Sequence, residues 1–148
     1  MMAMALFLSI KPRFARAILE GRKTVEVRRK FPTVTAGTVV VLYSSSPERA
    51  ILGTVRLKQA IRLHPSKVWR TYADHIDIEE DALAEYLAGA DSSTVLEVED
   101  PETWTRPVTL TALRKLLGVE PPQSFRYLAP EQVAVIRERG TRPPEISV

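Results

Sequence analysis

The spacing of apolar residues changes period several times along the chain, and each change marks an element. Leu6, Leu8 and Ile10 alternate with Phe7 and Ser9 in a run apolar enough for a strand buried on one or both faces. Pro12 then opens a helical pattern of Phe14, Ala15, Ala17, Ile18 and Leu19 that stops at Gly21. Strict alternation returns over residues 24–28, with Val25 and Val27 on one side and Thr24, Glu26 and Arg28 on the other. After the turn-rich FPTVTAG, residues 38–43 form a β-branched apolar run. Residues 44–47 break it, and residues 50–63 predict a long strand with a bulge at Gly53.

Helical spacing dominates residues 65–89, through Val68, Trp69 and Tyr72 and then Ile78, Ala82, Leu83, Tyr86 and Leu87. Residues 94–98 and 108–110 are candidate strands. Residues 111–117 predict a helix ended by Gly118, PPQSFRYL reads as irregular, and residues 130–138 predict a last helix. One early helix, several short strands and later helices argue for an α+β domain around a small β-barrel. The expected organisation is a single domain over residues 1–140, with a helical insertion at about 65–90, followed by a flexible tail over residues 141–148.

Composition narrows the setting. With 148 residues and 45% hydrophobic content the chain can bury one real core, and two cores are not expected. It has no cysteine, which removes disulfides, zinc thiolate sites and a cysteine nucleophile and fits a reducing compartment. The opening apolar run, from Met4 to Ile10, has no basic region before it and no small-residue cleavage site after it, so it does not read as a signal peptide. No apolar stretch approaches the roughly 20 residues of a membrane-spanning helix. A cytoplasmic protein with no membrane partner is expected.

The net charge of +3 conceals a strong segregation. Residues 1–70 carry 14 Lys and Arg against the three acids Glu20, Glu26 and Glu48, whereas residues 71–102 carry eleven acids and no Lys or Arg. A basic surface suited to phosphates, with an acidic element docked on it or facing water elsewhere, would follow from this. Two solvated faces of opposite sign explain it equally well, and a protein partner for the acidic helices is a third possibility.

Three short segments could carry chemistry. Ser9, Lys11 and Pro12 join a strand end to a helix start, where unpaired N–H groups and a lysine suit an anion; an ordinary helix start with a solvated lysine is the plain alternative. Lys23, Thr24, Glu26 and Arg28 place acid and base within reach of each other on one strand face, unless that face is only laced with weak surface ion pairs. Tyr43, Ser45 and Arg49 end a strand with hydroxyls and a guanidinium that could stack on a base or clamp a phosphate; the alternative is a plain turn. His64 and His75 have no metal-ligand spacing, and no metal site is assigned. Trp69, Tyr72 and Tyr86 read as helix packing rather than base-stacking platforms. There is no P-loop, dinucleotide glycine fingerprint or G-x-S-x-G.

Taken together, LFLSIKPRFARAILEGRKTVEVRR, then VVVLYSSSPERAILGTVRL, and later PPQSFRYL resemble the ASCH family of the PUA-like superfamily, in particular its stand-alone bacterial and archaeal members, often described as predicted transcriptional regulators. The match is dense over the first 63 residues and thin in the last third. The resemblance implies a PUA-like barrel with a cleft between the first helix and the barrel that binds RNA or a nucleotide. For the amidohydrolase branch acting on acetylated cytidine, Lys23 and Thr24 match the family's pair, but Glu26 stands where the nucleophilic threonine would be, which removes the covalent route through a hydroxyl. For the single-strand ribonuclease branch, Tyr43 and Ser124 match and Arg49 takes the place of a lysine, a change that keeps phosphate binding better than proton transfer.

The expected function is therefore binding of RNA or a nucleotide through Ser9, Lys11, Lys23, Glu26, Arg28, Tyr43, Ser45 and Arg49, without a cofactor. The alternative is a hydrolase, a ribonuclease rather than an amidohydrolase, using Lys23, Glu26, Tyr43, Arg49 and Ser124, for which a divalent metal would be a candidate cofactor.

Overall fold

The computed structural model describes residues 3–143. Strand β1 (Ala5–Ile10) leads into helix α1 (Pro12–Leu19), followed by β2 (Val25–Arg28), β3 (Val39–Ser44) and β4 (Ala50–Leu63). Helices α2 (Pro65–Ile76) and α3 (Glu80–Leu87) precede β5 (Ser93–Thr109), α4 (Leu110–Leu117), β6 (Phe125–Leu128) and α5 (Pro130–Thr141). The six strands form one sheet in the order β2-β5-β4-β3-β1-β6, in which only β1 and β3 run parallel. It curls into half a barrel. Arg28 on the edge strand β2 reaches the carbonyl of Ser9 on β1 and the hydroxyl of Ser124 just before the other edge, β6, at 2.9 and 3.4 Å.

The alternation in β1 sorts side chains between two cores. Leu6, Leu8 and Ile10 join Leu42, Leu57, Leu96 and the buried face of α1 in one, while Ala5 and Phe7 join Val41, Tyr43, Trp104, Leu113 and Ile136 under α4 and α5 in the other. A third cluster, Val25, Val27 and Val95 with Val68, Tyr72, Ile76, Leu83 and Leu87, seats α2 and α3 on β2 and β5. The acidic helices are thus held mainly by apolar packing, with the Arg22–Asp77 ion pair at 3.2 Å and the Arg29 bond to the Tyr86 carbonyl at the rim.

Several elements differ from the expectation. Residues 94–98 and 108–109 belong to one 17-residue strand, which bends at Asp100 in a left-handed conformation (φ 54°) instead of ending there, and Leu110, expected to close the second strand, opens α4. The segment PPQSFRYL contains β6, whose pairing with β1 overrides its weak local pattern. The helical stretch at 65–89 is two helices separated at Asp77, which is also left-handed. Tyr86 is exposed and packs into no core. The last helix runs on to Thr141, so the start of the expected tail is helical, and residues 144–148 lie outside the described residues. At Gly53 the register of β4 against β5 shifts, and a Cβ there would collide with the carbonyl of Glu102, so the bulge depends on glycine.

Candidate functional site

The C-terminal ends of β1 and β3, the start of α1 and the face of β2 converge on a cavity of about 360 Å³. Its polar lining comes from Ser9, Lys11, Glu26, Arg28, Ser45 and Gln123; Phe14 and the Ile78, Ala82 and Tyr86 side chains of the α3 region supply apolar walls. Pro12 at the first turn begins α1 immediately after Lys11, which leaves Lys11 exposed at the rim. Among the described residues, no three His, Asp or Glu side chains cluster closely enough to hold a metal ion.

Glu26 lies between two cations. Its Oε2 accepts from Arg28 Nε and Nη2 at 3.1 and 2.9 Å, and its Oε1 stands 3.6 Å from Lys23 Nζ. With the bonds to Ser9 and Ser124 counted, four of the five guanidinium donors of Arg28 are engaged inside the protein. Arg28 therefore acts chiefly as a strut across the opening of the sheet.

Lys23 has no exposed surface. Its Nζ donates to the Ile76 carbonyl at the end of α2 at 2.5 Å and lies 4.9 Å from the centre of the Phe14 ring. Loss of hydration on burial pulls this ammonium below its ordinary pKa, and the Glu26 carboxylate opposes that pull.

Tyr43 is placed elsewhere. It lies beside Ser9 in the parallel β1–β3 register, but its ring is buried in the core under α4, edge-on to Phe7. Burial raises the pKa of its phenol, opposed by the charges of Arg49 and Arg114. Arg49 is exposed, in a left-handed conformation (φ 52°), and its carbonyl accepts from the Leu110 N–H in the first turn of α4.

The expected residues thus fall into two neighbouring groups. Ser9, Lys11, Glu26, Arg28 and Ser45 share the cavity with Lys23 beneath its floor, and Ser124 joins them through Arg28. Tyr43 and Arg49 stand on the other side of the strand ends. The walls Phe14, Ile78, Ala82 and Tyr86, and the charges Arg114 and Glu120, escaped the sequence reading. The apolar ones carry the same helical periodicity as core residues, so Tyr86 reads from the sequence as helix packing. His64 and His75 are both exposed; His64 Nδ1 accepts from the Ser66 N–H at the start of α2.

Comparison with known proteins agrees with this architecture. Residues 4–119 match the family model described as Domain of unknown function (DUF365). The ASCH domain-containing ribonuclease of Zymomonas mobilis is 28% identical over 126 residues, which is 84% of each chain. The crystal structure of ASCH from Zymomonas mobilis superposes with a TM-score of 0.85 at 26% identity, over 89% of this chain and 92% of that one. Crystal structures of ZmASCH with a tyrosine-to-phenylalanine and a serine-to-alanine substitution match similarly, and the two substituted positions are as far apart in that sequence as Tyr43 and Ser124 are here. Human THYN1 in complex with DNA containing 5-methylcytosine shares the fold, with a TM-score of 0.62 at 13% identity over 96% of this chain and all of that one. With most of its length matched by that family model and its half-barrel superposing on an ASCH structure, the chain belongs to the DUF365 family and is an ASCH domain protein with a PUA-like fold.

Proposed function

We propose that this protein binds single-stranded RNA, taking one unpaired base into the cavity. The observation that carries this reading is the cavity itself. It is of a size for one base, it is apolar on the Phe14 and Tyr86 sides, and it ends on the Glu26 carboxylate, with Lys11 at the rim. Single-stranded RNA is recognised by that combination, a stacking wall with donors and acceptors for a base edge and a cation for the adjoining phosphate. Glu26 Oε1 would accept from a base N–H and Lys11 would hold phosphate. Tyr43 and Arg49, one strand away, would face the next stretch of backbone. Lys23, without exposed surface, serves by holding Glu26 in place.

Measured by fluorescence anisotropy, short single-stranded RNA is expected to bind with strong salt dependence. Lys11→Ala should lower the slope of log affinity against log salt by about one, and Tyr86→Ala should weaken binding with little change of slope. Binding that is absent, or indifferent to salt and to both substitutions, would rule the reading out.

A second reading, cleavage of the bound RNA, is favoured by the similarity to the Zymomonas ribonuclease and by the shared spacing of Tyr43 and Ser124. Because burial raises its pKa, Tyr43 would act near neutral pH as a hydroxyl donor to a phosphate oxygen, not as a phenolate. Arg49 would stabilise developing charge but could not deliver a proton. The discriminating assay is multiple-turnover cleavage of labelled RNA by the wild type and by Tyr43→Phe, with and without divalent metal.

A further inference from the structure

Helix α4 brings a second arginine to the Tyr43 side of the site. Its first turn is tied to Arg49 through the Leu110 N–H bond to the Arg49 carbonyl, at 3.0 Å, and Leu113 packs in the same buried cluster as the Tyr43 ring. Arg114 follows Leu113, and its charge, like that of Arg49, acts on the Tyr43 hydroxyl. The helix then ends at Gly118, which is left-handed (φ 65°) and turns the chain back. That reversal brings Glu120 onto Arg114, with Nε and Nη2 donating to the two carboxylate oxygens at 2.7 Å each.

The same short loop continues to the cavity. Pro122 accepts from the Ser9 hydroxyl at 2.6 Å, Gln123 lines the cavity and Ser124 bonds Arg28. Arg49 is meanwhile held in the left-handed conformation (φ 52°), which strains a residue with a side chain, and strain of that kind gathers at functional sites. A carboxylate bound through both oxygens offers a guanidinium the same planar, two-oxygen face as a phosphodiester.

We propose that Arg114 is a further phosphate-binding residue of the RNA site, paired with Arg49 across Tyr43, and that Glu120 occupies its guanidinium until a backbone phosphate displaces it. This rests on the reading of Tyr43 and Arg49 as facing the RNA backbone. Glu120 then acts as a built-in competitor. It weakens adventitious anion binding, and it ties occupation of the phosphate seat to the loop that lines the base cavity.

The consequence has an unusual sign, since removing a charge partner should improve binding. With labelled single-stranded RNA and the full chain, Glu120→Gln is expected to tighten binding about two- to fivefold, the usual worth of an exposed ion pair. Arg114→Ala should weaken binding and lower the salt slope by about one. In the Arg114→Ala background Glu120→Gln should change nothing, which separates release of Arg114 from a general gain of positive charge. Both side chains are exposed, and circular dichroism melts of each variant confirm folding. Tightening that persists without Arg114, or Glu120→Gln and Arg114→Ala both equal to wild type, would overturn the proposal. If Arg49→Ala still weakens binding in that event, the RNA reading stands and this inference alone fails; if Arg49→Ala is silent as well, the phosphate seat falls with it.

Discussion

Replacing Lys23 by methionine tests the account of the site at its least accessible point. Methionine keeps the length and the packing against Phe14 while removing the ammonium. The Ile76 carbonyl then loses its bond at 2.5 Å, and Glu26 keeps Arg28 as its one close cation. An orphaned buried carbonyl costs about 1–3 kcal/mol. Breaking a buried ion pair from one side costs about 3–5 kcal/mol, but here Arg28 remains and the desolvation of the ammonium is regained. The net expectation is a loss of about 1–3 kcal/mol, which for a domain of this size lowers Tm by roughly 2–12 °C.

The pH dependence carries an independent sign. The pKa of Lys23 in the folded state is below its ordinary value of 10.5, so between those two values the unfolded chain holds the extra proton. Stability from this group therefore rises with pH across that window, and the neutral amine can still donate to Ile76. Urea unfolding of wild type and Lys23→Met at a series of pH values should show a gap that widens as pH climbs toward 10.5. A variant as stable as wild type at neutral pH, with a gap that does not move with pH, would show that the ammonium holds neither Ile76 nor Glu26.

Two further outcomes concern the frame around the site. Tyr72 donates to Glu97 at 2.6 Å, and burial together with that bond raises its pKa from 10.0 to about 12. Its contribution, at most a few kcal/mol, is complete below pH 10 and is lost as pH rises toward 12; the stability gap between wild type and Tyr72→Phe should shrink over that interval, and a constant gap would contradict the linkage. Gly140 lies against the Trp104 ring, where an added Cβ would collide. Gly140→Ala should therefore destabilise by about 1–2 kcal/mol despite alanine's higher helix propensity, and a rise in Tm would show that Trp104 can move aside.

Where a residue's role follows from its neighbours in the chain, the sequence was informative. Pro12 and Gly21 bracket α1, Gly118 ends α4, and β4 occupies residues 50–63 with its irregularity at Gly53, because caps, glycine turns and alternation are local effects. The Lys11, Glu26, Arg28 and Ser45 group was legible for the same reason, since each sits at a strand end or on a strand face whose direction alternation sets. Long-range pairing was not legible. Residues 93–109 read locally as two strands because their middle, Glu99 to Glu102, is acidic and bends at Asp100, and β6 exists because β1 offers it an edge.

The same limit divides the site. Alternation puts Tyr43 on a definite face of β3, but whether that face meets the cavity or the core under α4 depends on how the sheet curls and where α4 packs. Lys23 reads from the sequence as a binding residue beside Glu26 and Arg28. Only the docking of α2 at Ile76 and of α1 at Phe14 encloses it and turns a ligand-binding candidate into the support beneath Glu26. Charge type and local direction are set by the chain itself; burial and partnership come from segments dozens of residues away, which no local pattern encodes.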